Sequence, residues 1–156
     1  MDYDLLCAQL ESLAEAERWY VPLLSNAAAL LYDALEAVNW AGFYLLRGDR
    51  LVLGPFQGKV ACIHIPMGRG VCGTAAQRDA TLLVPDVHAF AGHIACDSAS
   101  NSEIVVPIHS DGKVAAVLDI DSPVKNRFNE ADRAGLEAFA GVLEREMKID
   151  CESRWK

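Results

Sequence analysis

The chain has 156 residues and a mass of 17.0 kDa, the size of one domain, which can bury roughly 70% of its extended surface. Hydrophobic residues at 52% and charged residues at 23% are globular proportions that exclude a disordered tail, a collagen-like fibre or a coiled-coil rod. Fourteen Lys and Arg against 22 Asp and Glu leave a net charge of -8, a field that repels phosphate backbones and anionic lipid heads, so nucleic acid and membrane surfaces are not expected as partners.

The start, MDYDLLCAQLE, carries acids where a secretory signal needs bases, and the uncharged stretch from Trp19 to Tyr32 is too short to span a bilayer and contains Pro22. The expectation is a cytoplasmic protein. Five cysteines, Cys7, Cys62, Cys72, Cys96 and Cys151, form an odd set in a chain large enough to fold without disulfide staples, which fits a reducing compartment.

Leu6, Leu10 and Leu13, then Ala27, Leu30, Leu31, Ala34, Leu35 and Val38, recur at helical spacing and predict two opening helices, the second capped by Ser25 or Asn26. From Trp40 to Ile65 the period falls to two, with turns at Gly48-Asp49 and Gly54-Pro55, and a last alternation through Ala61, Cys62, Ile63, His64 and Ile65. Gly68 to Gly73 leads into a short helix ending near Arg78, Leu82 to Val84 reads as a strand, and a long loop of small and polar residues runs from Pro85 to Ser102. Two strands, Glu103–His109 and Lys113–Ile120, flank Ser110-Asp111-Gly112. From Asn129 a final helix places Leu136, Phe139, Leu143 and Met147 on one face.

Hairpins between terminal helices give an α+β domain, a mainly antiparallel sheet with the N- and C-terminal helices packed on one face. Side chains alternate across a strand, so if Phe43, Leu45, Ile63, Ile65, Ile104, Val106, Ile108, Val114, Ala116, Leu118 and Ile120 meet the helices, the other face receives Trp40, Tyr44, Cys62, His64, Glu103, Asp119 and Asp121. Those groups either solvate an exposed sheet or line a pocket, and the long loop favours the pocket.

Gly68-Arg69-Gly70-Val71-Cys72-Gly73 matches the dinucleotide fingerprint, with Asp86 further on. Its helix is too short for a βαβ crossover and hairpins follow, so the glycines read as a tight strand-to-helix turn whose N–H groups can still receive a carboxylate. Cys62, Cys72 and Cys96 with His64, His88 and His93 lack any close metal-ligand spacing, so no metal is expected. Cys7 and Cys151 suit burial in the terminal helices. Cys72 stands at a helix N-terminus that favours a thiolate, Cys96 lies in the long loop beside Asp97, and Cys62 faces the polar side of the sheet. Three cysteines around one pocket point to thiol redox chemistry, one attacking and another resolving, with Cys96 and Cys72 both open as the attacker.

The stretches NWAGFYLL (Asn39 to Leu46), ACIHIPMGRGVCGTAA (Ala61 to Ala76), VHAFAGHIACDSASNSEIVVPI (Val87 to Ile108) and LDIDSP (Leu118 to Pro123) resemble the free methionine-(R)-sulfoxide reductases, a GAF-domain family, over nearly the whole chain. The resemblance implies one GAF domain over residues 1–156. It also implies reduction of free methionine sulfoxide through a cysteine sulfenic acid and an intramolecular disulfide recycled by thioredoxin, with no cofactor. It makes Cys96 the nucleophile and Cys62 the resolving thiol, with Cys72 able to join the relay. It sets Trp40 and Tyr44 around the substrate, and Glu103, Asp119 and Asp121 at its sulfoxide oxygen and ammonium group. A homodimer is compatible with it. The competing class is a non-catalytic GAF module that senses a small ligand or redox state.

Register decides whether the acids meet. A two-residue loop of Asp111-Gly112 pairs Ser110 with Lys113 and sets Glu103 opposite Ile120, on the wrong face. A three-residue loop with Gly112 at positive φ pairs His109 with Lys113 and sets Glu103 opposite Asp119, with Asp121 diagonal. The three-residue loop is therefore expected.

Overall fold

The computed structural model describes residues 1–92 and 99–149. Two helices, α1 (Tyr3–Ala16) and α2 (Tyr20–Ala34), open the chain and α4 (Glu130–Glu146) closes it. Between them lie β1 (Trp40–Arg47), β2 (Arg50–Gly58), β3 (His64–Pro66), α3 (Gly70–Arg78), β4 (Leu82–Val84), β5 (Ser102–Ser110) and β6 (Lys113–Ser122). The six strands form one sheet in the order β3-β2-β1-β6-β5-β4, with every neighbour antiparallel. This is the α+β architecture that the hairpin pattern implies. No helix among the described residues is long and apolar enough to cross a membrane.

One face of the sheet, carrying Phe43, Ile104, Val106, Ile108, Ala116, Leu118 and Ile120, packs with α1, α2 and α4 through Leu10, Leu24, Leu31, Leu136, Phe139 and Leu143. Burying each such side chain contributes about 1.5–3 kcal/mol before chain entropy is subtracted. The opposite face packs Val105 and Val117 against Val71, Cys72 and Ala75 of α3, and Trp40 and Tyr44 belong to this second cluster.

The second helix starts earlier than its sequence suggests. Its first residue is Tyr20, and the Tyr20 N–H donates to the Lys148 carbonyl at 3.2 Å, so the chain's far end satisfies a group that a side-chain cap would otherwise serve. Pro22 then falls in the first turn, where a missing N–H costs nothing, and the Ser25 hydroxyl donates back to the Val21 carbonyl instead of capping. At α4 the cap is local: Asn129 and Asp132 form a reciprocal capping box.

The last hairpin differs from the expected one. Its loop is the two-residue Asp111-Gly112, both at positive φ, with Ser110 opposite Lys113. Parity is restored further down, because His109 pairs with Val114 but Ile108 pairs with Ala116, leaving Ala115 as a bulge residue in β6. Glu103 therefore lies opposite Asp121, two residues from the expected Asp119.

The strand before α3 is also shorter than expected, three residues on the edge of the sheet. Ile63 is 62% exposed, His64 is exposed, and Ile65 belongs to the α3-side cluster, as does Val114, so these four do not follow the face assignment made from alternation.

Candidate active site

The site begins as a row across the sheet. Val84, Glu103, Asp121 and Trp40 pair in turn across β4, β5, β6 and β1, and in the next row Val105, Asp119 and Gly42 pair across β5, β6 and β1. Glu103, Asp119 and Asp121 therefore share one face, with Asp119 diagonal to Glu103. Helix α3 lies over this row and brings down Cys72. The resulting pocket is lined by Trp40, Tyr44, Cys72, Glu103, Asp119 and Asp121, with Val60, Ala61, Arg69 and Ser100 at its edges.

Burial sets the chemistry. Glu103 and Asp119 are 7% and 5% exposed. Burial, then the charges and hydrogen bonds of Asp119 and Asp121, push the Glu103 carboxyl well above the ordinary carboxylate range. Burial pushes Asp119 up to about 6, against hydrogen bonds with Glu103 and Cys72 that favour its charged form. Glu103 is raised the further of the two, so the pair retains a proton at a pH where two free carboxyls would have lost both, and sets a proton donor beside an anion.

Cys72 does not carry the thiolate that its helix N-terminus suggests. Its thiol is buried, donates to Glu103 Oε1 at 3.9 Å, and is pushed well above the usual cysteine range by burial first and then by Asp119, Glu103 and Asp121. Three carboxyl groups and lost solvation outweigh the helix dipole, which supplies at most ~2 kcal/mol.

The aromatic pair forms the wall of the pocket and also holds its edge. Trp40 stacks on Tyr44 at 5.9 Å and on Phe56 at 5.2 Å between ring centres. Its indole N–H donates to the Lys59 carbonyl at 3.1 Å, and the Tyr44 hydroxyl donates to the Cys62 carbonyl at 2.9 Å. Both polar tips are spent on the segment from Lys59 to Cys62, so the rings meet the cavity with their apolar surfaces. Cys62, half-buried on that segment, is disulfide-bonded, whereas Cys7 and Cys72 are free thiols. Cys96, His93 and Cys151 lie outside the described residues.

The glycine motif serves packing. Gly68 and Gly70 have positive φ, and a Cβ on Gly73 would stand 2.4 Å from the Pro66 carbonyl oxygen, so the motif lets α3 turn sharply onto β3. Of the N–H groups considered for a carboxylate, that of Gly70 donates to Gly92 and that of Gly73 to Arg69. Arg69 itself lines the pocket, as does buried Ser100, which accepts from Asn39. The sequence reading missed both. A base between two motif glycines was the available signal for Arg69. Ser100 had none.

The GAF domain family model matches residues 3–147. The chain is 52% identical to the free methionine-R-sulfoxide reductase of Escherichia coli over 143 residues, 92% of this chain and 87% of the other. It is 46% identical to the protein of that name from Saccharomyces cerevisiae, over 88% of this chain and 81% of the relative. Among solved structures, fRMsr of Staphylococcus aureus in complex with substrate superposes with a TM-score of 0.89 at 52% identity, covering 94% of this chain and 96% of that one.

Proposed function

Because this chain belongs to the GAF domain family, with close relatives named free methionine-R-sulfoxide reductase, we propose that it reduces free L-methionine-(R)-sulfoxide to methionine by thiol chemistry. The observation that carries the proposal is the buried Glu103–Asp119 pair, both members raised above the ordinary carboxylate range, in a pocket edged by Val60 and Ala61, next in sequence to a cysteine already in a disulfide.

The Cys96 thiolate attacks the sulfoxide sulfur while Glu103 protonates the departing oxygen, which is a poor leaving group until it gains a proton. The sulfur–sulfur bond so formed then breaks as the hydroxyl passes from the substrate sulfur to the Cys96 sulfur, so methionine leaves reduced by two electrons and Cys96 is left, oxidised by two, as a sulfenic acid. The Cys62 thiolate then attacks that sulfur, a disulfide forms and the oxygen departs as water. An external dithiol of the thioredoxin type, maintained in the cytosol, returns both thiols and is itself oxidised. Cys72, a free thiol lining the same pocket, is the third cysteine that can enter the relay. Asp119 and Asp121 hold the substrate's ammonium group, Arg69 suits its carboxylate, and Trp40 and Tyr44 seat the S-methyl group against their faces.

The test is turnover of the two free methionine sulfoxide epimers with a thioredoxin system, beside N-acetylated and peptide-bound sulfoxides. The expected result is methionine from the free R epimer, with the blocked compounds losing several kcal/mol of transition-state binding because a buried charge is left unpaired. Comparable rates on a peptide would refute the closed pocket. Binding without methionine production would make the chain a sensing module instead.

A further inference from the structure

The floor of the pocket gathers a donor set that the reduction does not use as a set. One ligand atom from each of Cys72, Glu103 and Asp119 lies within 4.8 Å of the other two, and all three residues are buried. They come from α3, β5 and β6, so ordered elements fix their spacing. The Oδ1 atom of Asp119 is buried and makes no hydrogen bond, and leaving such an acceptor unmade costs about 1–3 kcal/mol. Arg69, exposed at the rim, is the one Lys or Arg among the described lining residues. The orphaned oxygen calls for a positive occupant that the protein does not itself provide: the substrate's ammonium group in the reductase reading, and a cation when the pocket holds no substrate.

One sulfur and two carboxylate oxygens suit a borderline-soft cation. Magnesium and calcium avoid sulfur, whereas zinc takes thiolate at about 2.3 Å and carboxylate at about 2.0–2.2 Å, which sets tetrahedral donors roughly 3.4–3.6 Å apart. The Cys72–Glu103 separation of 3.9 Å is already near that spacing, and small side-chain rotations close the rest. A fourth position is left toward the cavity, open to water.

We propose that Cys72, Glu103 and Asp119 bind one zinc ion in the substrate-free pocket, and that the ion and the sulfoxide exclude each other. On ligation the Cys72 thiol loses its proton to solvent, a sulfur–zinc bond forms and no electron is transferred. The exclusion half rests on the proposed reductase activity, because the same acids are assigned to the substrate; the binding half does not.

Binding is measured without turnover, on the oxidised protein with Cys62 in its disulfide. Cadmium is titrated as a spectroscopic stand-in through its thiolate charge-transfer absorption, and zinc by competition against a chromophoric chelator. One equivalent should bind, Cys72→Ala and Asp119→Asn should each weaken it about tenfold or more, and Cys7→Ala should leave it unchanged. Circular dichroism checks folding, and Cys72→Ser replaces Cys72→Ala if the alanine variant does not fold. In turnover, zinc should raise the apparent KM for methionine sulfoxide severalfold at constant kcat. Absence of binding, or binding retained in the Cys72 variants and lost in Cys7→Ala, overturns the site; inhibition that lowers kcat without raising KM overturns the exclusion. Turnover in metal-free buffer without any zinc binding would refute this inference and leave the reductase reading intact, whereas zinc binding without turnover would do the reverse.

Discussion

The hydroxyl of Tyr44, on the floor strand of the pocket, donates a 2.9 Å hydrogen bond to the main-chain carbonyl of Cys62. A ring that lines the pocket thus holds the disulfide-bonded Cys62 by its backbone. Tyr44→Phe removes that bond and keeps the ring. Losing a part-buried hydrogen bond of about 1 kcal/mol should slow disulfide formation roughly fivefold and slow methionine formation less. Rapid quench of the sulfenic acid and of free methionine separates the two steps; equal slowing of both would remove the positioning role.

Cys62→Ser should leave the first chemical event in place and break recycling. The expected result is one equivalent of methionine per protein in a single turnover, followed by stalled thioredoxin-coupled cycling unless Cys72 substitutes. Cys96→Ser, by contrast, should yield none, because a hydroxyl is not ionised at neutral pH. Full steady-state activity in the Cys62→Ser, Cys72→Ser double variant would defeat the resolving-thiol assignment.

Glu103 stays protonated through burial first and then through the charges of Asp119 and Asp121. Under the proposed function its donor role should be present at low pH and lost as pH rises through its raised folded-state pKa, which should set an alkaline limb on the single-turnover rate. Asp121→Asn deletes one of the charges that raise it. The limb should therefore move to lower pH, while Glu103→Gln should abolish it together with most of the rate. A limb that keeps its position in Asp121→Asn would assign the proton to another group.

At the opposite end of β5, His109 is clamped between Asp79 Oδ1 at 2.6 Å and Glu144 Oε1 at 2.7 Å, joining the end of α3 to α4. Hydrogen bonds to Asp79 and then Glu144 raise its pKa against partial burial. A raised histidine contributes stability that is fully present below its unfolded value near 6.5 and is lost as pH rises through the folded value. As pH rises from about 6.5 through the raised folded value the protein should lose up to ~1 kcal/mol from this clamp, discounted for its exposure, and His109→Gln should lose that share of the slope. Thermal unfolding across that range, in both forms, measures the difference.

Much of the site was legible because a two-residue period leaves little choice: once Ile104, Val106 and Ile108 faced the helices, Glu103 had to face away, and Asp119 and Asp121 followed from Leu118 and Ile120. What could not be read rests on distant partners. The start of α2 is served by Lys148, and the acids that clamp His109 lie 30 and 35 residues away. The bulge left no mark either, since Ala115 stands beside Ala116 and nothing in two adjacent alanines says which one pairs. The thiol of Cys72 was misjudged for a related reason, its local helix signal being overruled by carboxylates from two other strands.

That bulge makes the hairpin tip and the acid row separately adjustable. Removing Ala115 would let Ile108 follow His109 onto Ala116 in an unbroken ladder, and Glu103 would still meet Asp121. The residues beyond it, from Ser110 to Ala115, can be exchanged for another turn of different length, provided His109 keeps its clamp and the new ladder rejoins at Ile108 and Ala116. In this protein the tip is a replaceable cap, and the count of residues that aligns the row of acids begins only below it.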